Sequence, residues 1–186
     1  MKLLIMGPPG VGKGTQASLL KDELKIIHLS TGDILRSETK NQSTIGLKAK
    51  RYMNAGKLVP DEVLLDIIND RITKKDCLNG YLLDGFPRTL NQAIGLDKIM
   101  VLINQKIDYA ISLVADENEL VDRLIKRGVD SGRSDDTPEI IRNRQKIYWE
   151  KTAPLLNFYR GKNILKEVNG LGEISEITKR ILINIK

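Results

Sequence analysis

Residues 3–20 read Leu3-Leu4-Ile5-Met6-Gly7-Pro8-Pro9-Gly10-Val11-Gly12-Lys13-Gly14-Thr15-Gln16-Ala17-Ser18-Leu19-Leu20. The apolar run Leu3 to Met6, closed by a glycine and two prolines, has the form of a fully buried strand. Gly7-x4-Gly12-Lys13 follows, then Thr15, then a helical pattern. Strand, glycine loop and helix are the setting that a phosphate-binding loop needs. Glycines let the backbone turn so that several N–H groups face one anion, and the positive end of the following helix adds to them. Lys13 supplies a cation for the β- and γ-phosphates and Thr15 a hydroxyl near a metal. The plain alternative is a glycine-rich turn, but with Gly at roughly 7% of residues the pattern arises by chance in on the order of 1% of chains this long. The strict motif has Ser or Thr directly after the lysine. Here Gly14 stands there, so Thr15 is placed less firmly than Lys13.

The rest of the chain extends this unit. At 186 residues and 41% hydrophobic content, one domain with small inserts is expected. Aromatics are only 4%, so the core is expected to be aliphatic. The net charge of +6 suits a site for several phosphates. The absence of a basic run of five or more argues against tail-like binding to nucleic acid or membrane. A single cysteine, Cys77, excludes an internal disulfide and a cysteine-based zinc site. No apolar run approaches the length of a membrane span and the N-terminus enters a strand at once, so a cytoplasmic protein is expected.

Four further strands are read at Ile26–Leu29, Tyr81–Leu83, Tyr109–Leu113 and Ile164–Val168. Helices are expected over 13–24, with Ala17, Leu19, Leu20 and Leu24 buried, and over 61–72, about 90–100, 117–127 and 173–185. One long helix is expected from Pro138 to Asn157, bent or ended by Pro154. His28, the one histidine, sits in an apolar run and reads as a packed side chain without a catalytic role. Ser30 and Thr31 each suit a helix cap. Thr31, Asp33 and Arg36 fall at a strand end beside the phosphate loop, where ligands bind in open parallel sheets. Asp84, at the tip of the Tyr81 strand, reads either as a turn residue or as a metal partner. Thr89 suits a cap. The alternation of strand and helix implies a parallel sheet covered on both faces.

The stretches GPPGVGKGT, STGDILR, AGKLVPDE, DGFPRTLNQA, DRLIKRG, SGRSDD and TAPLLNFY, in this order, resemble the adenylate kinases along essentially the whole chain. The resemblance implies an α/β fold, a five-stranded parallel sheet flanked by helices of the P-loop nucleoside triphosphate hydrolase type, with two small mobile segments. It implies reversible Mg²⁺-dependent phosphoryl transfer, ATP plus AMP giving two ADP. Gly10, Val11, Gly12, Lys13, Gly14 and Thr15 would hold the ATP phosphates. Arg123 would stack on the ATP adenine, Arg127 would face the ATP phosphates, and Gly172 would approach ATP through its backbone. Thr31, Arg36, Lys57, Leu58, Val59, Gly85, Phe86, Pro87, Arg88 and Gln92 match AMP-site positions, with Gln92 reading the adenine edge. Arg133 and Arg144 match arginines around the transferred group, on the AMP side. Lys13, Arg88, Arg127, Arg133 and Arg144 would be catalytic. Asp84, with Asp33, would hold Mg²⁺ through its waters, and Asp135 and Asp136 would orient arginines. The expected parts are a core of 1–29, 60–125 and 137–186, a monophosphate-binding segment at 30–59 and a short lid at 126–136. The partners are ATP, AMP and ADP, without nucleic acid or membrane, and the expected state is a monomer.

Three other readings are weighed. A UMP/CMP kinase of the same fold is disfavoured by Thr31 and Gln92. A nucleotide-dependent switch leaves Arg36, Arg88 and Gln92 unexplained. A nucleic-acid binder lacks both clustered charge and stacking aromatics.

Overall fold

The structure, a computed structural model, describes residues 1–116, 120, 123–124 and 137–185. Five strands, β1 (Lys2–Met6), β2 (Ile27–Ser30), β3 (Tyr81–Asp84), β4 (Tyr109–Val114) and β5 (Leu165–Asn169), form one sheet in the order β2-β3-β1-β4-β5. Every pairing is parallel. All carboxyl ends therefore open on one rim, with β1 at the centre feeding the phosphate loop.

Eight α-helices are described: α1 (Lys13–Leu24), α2 (Thr31–Lys40), α3 (Thr44–Asn54), α4 (Asp61–Ile72), α5 (Leu90–Leu102), α6 (Pro138–Ile147), α7 (Leu155–Gly161) and α8 (Ile174–Ile185). Side chains alternate across a strand, and β1 shows the consequence. Leu4 and Met6 join Leu29, Leu83 and Ala110 in one apolar layer with α4, α5 and α7. Leu3 and Ile5 face the other way, packing with Leu82 and Ile111 against α1 and α8. Near-continuous apolar strands result because both faces are covered. Cys77 lies fully buried in the first layer.

Two expectations change. Leu19 is 38% exposed, and the buried face of α1 is Gln16, Ala17 and Leu20. Leu19 falls about 100° of helical turn from Leu20, off that stripe. The single helix expected over 138–157 is instead α6, a π-helical turn at Tyr148–Thr152, and α7. Ala153 N–H bonds Tyr148 O at 2.8 Å, five residues back. Pro154 has no N–H to continue the ladder, and the wider turn absorbs the break. Ile141, Gln145, Tyr148, Thr152 and Leu155 nevertheless stay buried on one face.

Residues 31–59 form α2 and α3 with short connections. They contribute little to the layers described above, chiefly Leu35, Ala49 and Val59. The two helices cross closely at Gly46, where a Cβ would lie 2.1 Å from Glu38 O.

Candidate functional site

A cleft of about 450 Å³ opens at the carboxyl rim of the sheet, within the usual range of roughly 300–1,000 Å³ for small-molecule sites. Its floor is the loop between β1 and α1. Gly7 sits against β4, where a Cβ would lie 2.5 Å from Leu113 O. Gly12 takes the left-handed conformation at the start of α1, with φ +95°. The loop thus needs glycine at Gly7 for space and at Gly12 for backbone conformation. The Lys13 ammonium donates to Gly7 O at 2.7 Å and to Pro8 O at 2.9 Å, so it lies over the loop. The α1 N-terminus points its positive end into the same space.

One wall is the turn after β3. Asp84 closes that strand between Ile5 of β1 and Ser30 of β2. Its Oδ2 lies 3.3 Å from His28 Nε2 and 3.7 Å from where a Cβ on Gly14 would stand. Gly14 therefore leaves room between the loop and this carboxylate, and His28 touches a candidate metal partner. Gly85, at φ +79°, lets both the Arg88 guanidinium and the Thr31 hydroxyl approach, since a Cβ there would lie 2.9 Å from each. Phe86–Pro87 is a cis peptide. Phe86 itself points down into the core. Arg88 Nε donates to Gly85 O at 2.8 Å, and its backbone N–H donates to Gln92 Oε1 at 2.7 Å.

A second wall is α2, which adjoins the first through Thr31. Ser30 is its cap, accepting from Asp33 N–H at 3.2 Å. Thr31, the other candidate cap, instead donates its hydroxyl to Asp84 O at 3.2 Å, tying the first turn of α2 to β3. Arg36 pairs with Asp33 one turn back. At the end of the segment, Gly56 packs on α6: a Cβ there would lie 2.9 Å from Ile140 Cγ2 and 3.4 Å from Arg144 Cγ. Asn143 Nδ2 bonds Ala55 O at 2.9 Å, bringing Arg144 beside Lys57, Leu58 and Val59.

The cleft is lined by Gly10, Gly12, Lys13, Gly14 and Thr15, by Thr31, Asp33, Arg36, Lys57, Leu58 and Val59, and by Asp84, Gly85, Pro87, Arg88, Arg123 and Arg144. Lys13, Arg36, Lys57, Arg88, Arg123 and Arg144 face it with Asp33 and Asp84 as the carboxylates. The excess of positive charge suits a polyanion. Val11 and Phe86 are buried at 1% exposure and support the lining from behind. Gly172 lies in the turn before α8, at φ +107°. That turn reaches the loop through Gly170, whose added Cβ would lie 2.9 Å from Val11 Cγ2. Arg127, Arg133, Asp135 and Asp136, and the whole 126–136 segment, lie outside the described residues.

Gln92 differs most from expectation. It is fully buried and does not line the cleft. Its Nε2 donates to Asp61 Oδ1 at 2.7 Å, and Asp61 Oδ2 accepts from Thr89 Oγ1 at 2.9 Å. Thr89 is the α5 cap, accepting from Gln92 N–H at 3.1 Å.

Sequence reading passed over Asp61, Gln145, Tyr148 and Thr152. Gln145 Nε2 donates to Pro9 O at 3.3 Å and so touches the phosphate loop from α6. Tyr148 lines the cleft, and burial pushes its phenol up to about 12. The available signal was the stripe Ile141, Gln145, Tyr148, Thr152, where polar residues fall on an otherwise apolar helix face.

Comparison with known proteins identifies the family. A family model described as adenylate kinase matches residues 5–164. An adenylate kinase of Leptospira biflexa is 49% identical over 184 residues, covering 99% of each chain. One from a Nocardioides species is 45% identical over 181 residues, 97% of this chain and 95% of that one. One from Bifidobacterium longum is 45% identical over 186 residues, the full length of both. With one family's model spanning most of the sequence and relatives matching it end to end, the chain belongs to the adenylate kinase family.

Proposed function

We propose that the cleft holds two adenine nucleotides end to end, with ATP over the phosphate loop and AMP between α2 and the turn after β3. As a member of its family the protein is a phosphotransferase that interconverts ATP plus AMP with two ADP. The observation that carries the assignment of sites is the ring of Lys13, Arg36, Lys57, Arg88, Arg123 and Arg144 around one cleft.

On this reading Gly10 to Thr15 cradle the ATP phosphates through backbone N–H groups, and Lys13 turns from the loop carbonyls to the β- and γ-phosphates. Arg123 stacks on the ATP adenine, and Gly172 supports it from the α8 turn. Arg36 and Arg88 hold the AMP phosphate, and Arg144 faces the group in transfer. Arg127 and Arg133 are assigned beside it from sequence. Gln92 is assigned to an adenine edge by the resemblance alone, because its amide is buried outside the cleft and bonded to Arg88 and Asp61. AMP brings an anionic oxygen as nucleophile, so the protein supplies alignment and charge stabilisation rather than base catalysis. His28, beside Asp84, is left with a structural role.

Asp84 fits a Mg²⁺ partner. It is a mostly buried carboxylate at the cleft, close to Gly14 where the strict loop motif would place a hydroxyl. Among the described residues no cluster of three or more His, Cys, Asp or Glu converges. Mg²⁺ commonly binds through one or two carboxylates, waters and substrate phosphates rather than an all-protein cage. Bound there, Mg²⁺ would offset charge on the ATP phosphates. Asp33 is the weaker candidate, because Arg36 already engages its carboxylate.

The segment 30–59 is proposed to close over AMP before transfer, excluding water as the competing nucleophile. Its thin share of the core supports this. A turnover rate insensitive to solvent viscosity and to hinge substitutions would count against it. A monomer is proposed as the working unit, as the resemblance to the short-lid form implies. A cytoplasmic location suits the nucleotide substrates, and no helix among the described residues is long and apolar enough to cross a membrane.

The deciding experiment mixes protein, Mg²⁺, ATP and AMP, and measures ADP, with CMP, UMP and GMP as competing acceptors. AMP is expected to be preferred. A bisubstrate mimic, two adenosines joined by five phosphates, is expected to inhibit against both nucleotides. No binding of the mimic would overturn the site.

A further inference from the structure

Arg88 stands in the turn after β3, outside any helix or strand, yet three of its own groups are tied. Its Nε donates to Gly85 O at 2.8 Å, and its backbone N–H donates to Gln92 Oε1 at 2.7 Å. Its backbone carbonyl accepts from Thr152 Oγ1 at 2.9 Å. The last bond joins residues 64 apart in sequence. Thr152 is 7% exposed and ends the π-helical turn, the irregular stretch between α6 and α7. π-turns inside helices are often found at functional sites. On the other side, Gln92 is fixed by Asp61, which accepts its Nε2 at 2.7 Å.

We propose that Thr152 and Asp61 are positioning residues for Arg88, clamping its peptide from opposite sides so that the guanidinium meets the AMP phosphate already aimed. Thr152 acts directly on the carbonyl. Asp61 acts through the Gln92 amide: with Nε2 bound to the carboxylate, Oε1 is turned toward Arg88 N–H. A loop arginine held this way loses little freedom when its anion arrives, which is how preorganisation raises affinity and rate. The clamp also links α6, which carries Arg144, to the turn that carries Arg88. The proposal rests on the reading of Arg88 as an AMP-phosphate ligand.

The test compares Thr152→Val, Thr152→Ser and Arg88→Ala by steady-state kinetics with each nucleotide varied. Valine keeps the shape and removes the donor, leaving a covered carbonyl without its bond. Thr152→Val is expected to lower kcat/KM for AMP about tenfold, to leave KM for ATP within about twofold, and to be rescued by Thr152→Ser. An equal loss toward both nucleotides, no loss, or failure of serine to rescue would overturn the clamp. Should Thr152→Val not fold, Asp61→Ala decides. It removes the acceptor that orients the Gln92 amide, and about a fivefold loss confined to AMP is expected. AMP kinetics within about twofold of the parent overturn the clamp. If Arg88→Ala leaves AMP kinetics unchanged, the reading of the site falls and the clamp with it. A crippled Arg88→Ala beside an unaffected Thr152→Val removes the clamp alone.

Discussion

Arg88 and Arg36 line one cleft and are held in different ways. Arg88 is bonded through Nε, N–H and carbonyl to three separate parts of the chain. Arg36 projects from the middle of α2, 34% exposed, and pairs with Asp33 on its own helix. Behind Arg88 lies the sheet, with Leu83 fully buried in a layer covered by α4, α5 and α7. Behind Arg36 lies a two-helix segment tied to the sheet at its first turn by the Thr31–Asp84 bond and resting on Leu35, Ala49 and Val59. The sheet-side wall has the rigidity to aim a reacting group. The helical wall has little buried surface, which supports the proposal that it closes over AMP, since local opening is easiest where buried apolar contact is thinnest.

The largest expected effect that sharpens this contrast is on stability. Leu83→Ala should lower unfolding free energy by about 2–5 kcal/mol, read as a fall in urea midpoint. Leu35→Ala should fall below that range, and an equal loss would mean that the segment shares fully in the core. Next comes Arg88→Ala, expected to cut kcat/KM for AMP by at least ~100-fold, about 2.7 kcal/mol of transition-state stabilisation. A loss below about threefold would remove Arg88 from the site. Arg36→Ala should cost about tenfold, mainly as a raised KM for AMP, because a side chain on the shifting wall contributes to capture more than to aim. An Arg36 effect equal to Arg88's, and expressed in kcat, would break the contrast.

The smallest effect lies away from both walls. Arg71 donates to Asp76 at 2.7 and 2.9 Å. The hydrogen bond from Arg71 holds the Asp76 carboxyl below its usual range. A carboxyl lowered in the folded state stabilises above its unfolded value, and that contribution is lost as pH falls through the folded value. Arg71→Gln should therefore lower the urea midpoint slightly at about neutral pH, and the gap should narrow as pH falls below the usual carboxylate range. Activity should not change.

Much of this architecture was legible in the chain. The strands were visible because doubly covered parallel strands are almost wholly apolar, and each was placed to within about one residue. Their lateral order was not, because alternation of strand and helix specifies crossovers and leaves open which neighbour each strand takes. The helix expected over 138–157 preserved its apolar period, so nothing in the pattern marked the change of hydrogen bonding that Pro154 imposes at Tyr148–Thr152. The loop, Thr31, Arg36 and Arg88 stand in short stretches that carry the family resemblance, and Arg144 was assigned through that resemblance from outside them. Asp61 and Thr152 were given no role. Their partners lie 31 and 64 residues away, and an aspartate opening a helix or a threonine before Ala-Pro has an ordinary local explanation. The same holds for His28, whose contact with Asp84 comes from the pairing of β2 with β3.

The seclusion of Cys77 makes the chain its own unfolding gauge. Its thiol is fully enclosed, and burial raises its pKa, suppressing the reactive thiolate. A thiol reagent can then modify the protein only when the layer beneath α4 opens. With closure faster than modification, the labelling rate reports the fraction of molecules in which that layer stands open. Nucleotides that merely draw α2 and α3 inward would leave it nearly unchanged, whereas ligands that tighten the whole molecule would slow it.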